Sequence, residues 1–109
     1  MSSESGVKHD GGKHRPWLVV GGFPRALAEV SRVATFGADK YTDGGWQAVP
    51  NGRVRYTDAM IRHILEEARG IEQDPESLLL HAAHTAWNAL ARLELELRAI
   101  ENEEGMGER

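Results

Sequence analysis

The chain has 109 residues, a net charge of −4 and no cysteine. It is therefore one domain without disulfides or a Cys-ligated zinc site, and it lacks the basic excess of a general nucleic-acid binder. No stretch approaches the roughly 18 apolar residues of a membrane span, and no signal-peptide pattern opens the sequence. A cytoplasmic protein that binds neither membrane nor nucleic-acid polymer is expected. Residues 1–10 read as a polar N-terminal arm. Gly11-Gly12-Lys13-His14-Arg15-Pro16 is a flexible turn carrying basic side chains, and Trp17-Leu18-Val19-Val20 is a short apolar run, extended or a single turn. Pro24 suits the first turn of a helix that is expected to end near Phe36-Gly37. Asp43-Gly44-Gly45 and Pro50-Asn51-Gly52 mark an irregular loop. A second helix is expected from Arg53 to Gly70, and a long third one from Pro75 to Ile100, with Asp74 as its N-cap. Residues 102–109 read as a disordered acidic tail.

The predicted class is all-α: three main helices in one domain spanning 11–101. In the last helix Leu79, Ala83, Ala86, Leu90, Leu93 and Leu97 share one face, while Leu80, Trp87, Ala91 and Leu95 lie off it. A helix apolar on two sides needs two neighbours. The part of the chain able to build a core is about 85 residues, near the size where a lone core is marginal. A helical-bundle homo-oligomer is the expected solution.

Ser77, His81, His84 and Asn88 form a polar stripe on the same helix, at spacings of four, three and four residues. One reading is ordinary surface hydrogen bonding. The other is an internal polar seam, whose buried groups need partners. The second helix offers His63 and Glu67 four residues apart, with Glu66 a step further round. His63, Glu67, His81 and His84 are thus candidate metal ligands across two antiparallel helices. Such a mixed set suits manganese, iron or zinc better than magnesium. An i,i+4 contact of little energy is the simpler alternative.

Lys13, Arg15, Lys40, Arg55 and Arg62 are candidate phosphate partners, since a charge-assisted contact contributes roughly 1.5–3 kcal/mol. Gly12-Lys13 is not a P-loop, because the rest of that motif is missing. Phe36, Tyr41, Trp46 and Tyr56 cluster in or beside the loop between the first two helices. Aromatic faces next to cations suit a nucleobase and its phosphates, although loop aromatics also pin loops to a core. Asn88 joins the nucleotide-binding candidates.

Taken together, these segments resemble the phage family named for the N-terminal region of dATP/dGTP diphosphohydrolases. The likeness runs through Gly11-Gly12-Lys13-His14-Arg15, Val33-Ala34-Thr35-Phe36-Gly37-Ala38-Asp39-Lys40-Tyr41, Gly45-Trp46 and Arg55-Tyr56-Thr57-Asp58-Ala59. It continues in Arg62-His63, Gly70, Asp74-Pro75-Glu76-Ser77 and His81-Ala82-Ala83-His84. Ile71 and Leu78 depart from it, standing where the family pattern usually has an acidic residue and a glycine. The resemblance implies a helical fold and purine deoxynucleotides as ligands. A wider similarity is to the MazG-type pyrophosphohydrolases, which hold magnesium with two carboxylate pairs. Here the corresponding helices carry His63-x-x-Glu66 and His81-x-x-His84.

Two functions follow as expectations. One is hydrolysis of a (deoxy)purine triphosphate to monophosphate and pyrophosphate with a divalent metal, magnesium or manganese, and with Glu66 or Glu67 as ligand or base. The other is a non-catalytic sponge that sequesters a nucleotide, for example a cyclic immune signal, as an anti-defence protein. A structural module without a ligand is the third and plainest alternative.

Overall fold

The computed structural model describes residues 6–107. The first five residues of the arm and the last two of the acidic tail lie outside them. The described residues hold four helices and no strand: α1 (Trp17–Val20), α2 (Pro24–Lys40), α3 (Gly52–Ala68) and α4 (His81–Gly107). A 3-10 turn, Gly45–Ala48, sits between α2 and α3. The all-α expectation holds, and the apolar run at Trp17 forms a single exposed helical turn.

Both α2 and α3 pack on α4, and both run antiparallel to it. Near its start α3 meets the far part of α4, through Arg53 with Glu96 and Thr57 with Arg92, and near its end it meets the beginning of α4, through His63 and His81. Phe36, near the end of α2, meets His84 in the first turn of α4. Gly52 lies where α3 and α4 approach closely. A Cβ there would stand 3.0 Å from Leu95 Cδ1. The helix α3 stops where the sequence places its end. Gly70 at φ +89° lets its own N–H and that of Ile71 donate back to Glu67 and Glu66 carbonyls, closing the last turn.

Three boundaries differ from the expectation. The helix α2 continues through Gly37 to Lys40, because Phe36, Gly37 and Ala38 are half-buried and helical packing outweighs the modest cost of an interior glycine. The last helix does not begin at Pro75. Asp74 caps a turn instead, its Oδ2 accepting from the backbone N–H groups of Glu76 and Ser77, while Leu78 adopts φ +63°. An antiparallel bridge between Gln73 and Leu80 then closes the connection, and α4 starts at His81. At the other end α4 runs on through the acidic segment to Gly107.

On α4 the polar seam of the second reading is the buried side, and the leucine face is not. His81, Ala83, His84, Asn88 and Ala91 are buried, whereas Leu90, Leu93, Leu97 and Ile100 are exposed. Val33 of α2 and Gly52 of α3 are the buried residues on the flanking helices. A compact domain of this length has a radius of gyration of about 13 Å and a surface of about 6,000 Å². The single chain has 18.5 Å and 8,704 Å². Its core is thin, and much of its apolar surface is left open.

Candidate functional site

The polar groups gather where α3 ends and α4 begins. On α3, Arg62, His63 and Glu66 fall within one turn, so their side chains leave the helix on neighbouring faces. The connection contributes Asp74, Pro75 and Ser77, and α4 contributes His81 and His84. Arg62, His63, Glu66, Asp74, Pro75 and His81 line a cavity of about 370 Å³.

His81 is 2% exposed, and its Nδ1 lies 2.8 Å from Nδ1 of His63. Only one proton can lie between two such nitrogens, so at most one of them is protonated there. The other ring nitrogen of His81, Nε2, is buried and has no hydrogen-bond partner. Ligand atoms of His63, Asp74 and His81 all lie within 4.8 Å of one another, a set able to hold a metal ion. His84 stacks on His63, with ring centroids 4.5 Å apart and planes 9° from parallel. Its Nε2 shares a 2.7 Å hydrogen bond with the Ser77 hydroxyl, which also accepts from the Leu79 N–H. Behind His84, the buried Asn88 donates to its carbonyl at 2.8 Å, and Phe36 packs edge-on against its ring.

These surroundings set the charge states. Burial lowers the pKa of His63, and the neighbouring His84, His81 and Arg62 lower it further against the pull of Asp74. Burial likewise lowers His84, with Asp74 and Glu76 opposing and His81 reinforcing the shift. Burial alone would raise Asp74. The hydrogen bonds from Ser77, with the nearby imidazoles, outweigh it and hold the carboxyl below its usual range. Neutral imidazoles beside a carboxylate are the protonation state a metal ligand requires.

A pH dependence follows for the metal-free chain. The folded pKa values of His63 and His84 lie below the unfolded value near 6.5, so the unfolded chain binds more protons as pH falls through that range. Stability is full above about pH 6.5 and declines below it as the folded rings are forced to charge. Thermal melts are expected to shift downward between pH 7.5 and pH 5.5, with a smaller shift in His63→Gln. An unchanged midpoint across that interval would remove the buried neutral pair.

The other sequence candidates are distributed unevenly. Glu66 lines the cavity, with Oε1 paired to Arg69 at 2.8 Å. Glu67 is exposed and outside the His–Asp group. Lys40, ending α2, pairs with Glu76 beside the Asp74 turn, and its Nζ lies 5.3 Å from the centre of the exposed Tyr41 ring. Lys13, Arg15 and Arg55 are exposed and do not line the cavity.

Trp46 and Tyr56 sit elsewhere, in a three-ring cluster with Trp87. Its ring centroids are 5.4–6.3 Å apart in edge-to-face contact. The Tyr56 hydroxyl donates to the Trp46 carbonyl at 2.6 Å, and the Arg98 guanidinium lies over the Trp46 ring. This cluster pins the 3-10 turn to α3 and α4.

Asp74 is the residue that sequence reasoning missed as a ligand. Its local role as a cap hid it, but one signal was available. A short connection between antiparallel helices must place its residues near the meeting helix ends.

The family described as dATP/dGTP diphosphohydrolase, N-terminal, matches residues 3–105. A dATP/dGTP diphosphohydrolase of Salmonella phage PMBT28 is 39% identical over 82 residues, covering 75% of this chain. The chain spans only 27% of that relative's length. No solved structure matches it.

Proposed function

Since the chain belongs to the dATP/dGTP diphosphohydrolase N-terminal family, we propose that it binds a phosphorylated purine nucleotide and cleaves it to the monophosphate and pyrophosphate. The observation that carries this reading is one cavity lined by Arg62, able to pair with phosphate, and by two facing imidazoles and Asp74, able to hold a metal ion. In this reading water attacks the α-phosphorus, and the α,β-bridging oxygen leaves with pyrophosphate. His63, Asp74 and His81 would hold a divalent metal, which would supply Lewis-acid polarisation of the phosphate.

The chain's own groups do the rest. Arg62 pairs with phosphate oxygens, and Lys40, beside the Asp74 turn, is a further candidate cation, whereas Lys13, Arg15 and Arg55 lie off the cavity and take no phosphate in this reading. Glu66, and Glu67 one residue on, are the candidate bases for the attacking water. The exposed Tyr41 is the candidate base-stacking ring, since Trp46 and Tyr56 are taken up by Trp87 and Phe36 by His84, and Asn88 fixes the backbone behind His84. The exposed flank of Leu90, Leu93 and Leu97 supports self-association into a homo-oligomer.

Incubation of the purified protein with dGTP or dATP and Mg²⁺ or Mn²⁺ tests the reaction. Monophosphate and pyrophosphate are expected in equal amounts. Absence of both under either metal would end the hydrolytic reading. One observation favours a second reading, sequestration of a linear or cyclic nucleotide without turnover: the Glu66 carboxylate is already engaged by Arg69, and Glu67 faces solvent. Intact nucleotide released on denaturing the protein would support that alternative.

A further inference from the structure

We propose that His63, Asp74 and His81 form a binding site for a first-row transition-metal dication such as zinc or manganese, and discriminate against magnesium. Three observations converge on it. The ligand atoms of two imidazoles and a carboxylate lie within 4.8 Å of one another, and all three residues line one cavity. The two facing Nδ1 atoms are 2.8 Å apart. Nitrogens bound side by side to one ion at about 2.1 Å each stand about 3.0 Å apart at octahedral and about 3.4 Å apart at tetrahedral angles, so the rings need separate by only a few tenths of an ångström. Finally, His81 is almost fully buried, yet one of its nitrogens has no partner. A buried ring without a complete set of hydrogen bonds is costly unless something else compensates it. A coordinate bond from Nδ1 to an ion would offset part of that cost and fix the tautomer, with the proton on Nε2, which stays without a partner of its own.

Chemistry decides the class of ion. Magnesium prefers oxygen ligands and retains its water, whereas two imidazoles with one carboxylate suit zinc, manganese and iron. Three protein ligands leave coordination positions open, as at catalytic zinc sites. The surroundings support the three ligands. Asp74 is oriented by the N–H groups of Glu76 and Ser77, and His63 is held against the stacked ring of His84. Glu67 takes no part.

This inference rests on the same cavity as the nucleotide reading, and its test is run without nucleotide so that either can fail alone. Calorimetric titration of the full chain with Zn²⁺, Mn²⁺ and Mg²⁺ is expected to show one zinc or manganese ion per chain and no magnesium binding at matched concentrations. Asp74→Asn and His63→Gln are expected to weaken zinc binding at least about tenfold. The exposed arm histidines give the control: the double variant His9→Ala, His14→Ala should bind as the parent does. Asp74→Asn also removes a turn cap, so the visible absorption of Co²⁺-loaded protein supplies a second readout. Cobalt bands altered by His63→Gln but not by the arm variant support the site. Equal zinc affinity in parent and ligand variants, affinity that vanishes with the arm histidines, or magnesium binding as tight as zinc would each overturn it.

Discussion

Trp87→Ala is expected to destabilise the fold by about 2–4 kcal/mol and to lower the melting midpoint by roughly 10–20 °C. Trp87 is only half-buried, which argues for a value below that of a fully enclosed tryptophan. Its importance comes from what it joins. The ring meets Tyr56 of α3 at 5.4 Å and Trp46 of the 3-10 turn at 5.9 Å, both edge-to-face. Such pairs contribute beyond the area they bury. Few other large side chains tie the three segments together, so the loss has little to fall back on. Trp87→Phe should retain part of the stability by keeping one ring in place. A change below about 0.5 kcal/mol in the alanine variant, the usual range for surface positions, would contradict this account.

The second large effect concerns ligand rather than fold. Arg62→Ala is expected to weaken nucleotide binding by about 10–100-fold, the equivalent of one charge-assisted contact to phosphate. Arg62 is exposed on α3 and lines the cavity, so its removal should leave thermal stability nearly unchanged. The difference between the variant and the parent should shrink as salt rises, because an exposed guanidinium is screened. Equal affinity in the two proteins would move the phosphate site away from this cavity.

How much of this was readable in advance varied with the element. The long helices were visible because apolar residues recur at helical spacing and Gly70 marks a sharp stop. The start of α4 was not. Asp74-Pro75-Glu76 has the composition of a helix beginning, but the Asp74 cap serves a turn that leads only to Ser77 and the left-handed Leu78. Local capping chemistry is the same in both cases, and only the bridge between Gln73 and Leu80 distinguishes them.

Burial on α4 was harder still. Periodicity located two faces, one leucine-rich and one polar, and hydrophobicity favours burying the first. In the single chain the polar face is inside, because His81, His84 and Asn88 find partners in α3, the connection and their own backbone. Leu90, Leu93 and Leu97 remain outside. The pairing of His63 with His81 was accessible from the antiparallel arrangement. Trp46 illustrates the limit of composition: a ring in a basic loop reads as a stacking surface until Tyr56 and Trp87 are seen against it.

The connection ahead of α4 also constrains which sequences can occupy it. Leucine in the left-handed region is uphill by roughly 1–2 kcal/mol, a cost that glycine avoids and asparagine reduces. The position is therefore permissive toward small or amide side chains and closed to valine, isoleucine and proline. Backbone shape thus limits substitution at a residue that does not line the cavity, three positions ahead of its most deeply enclosed imidazole.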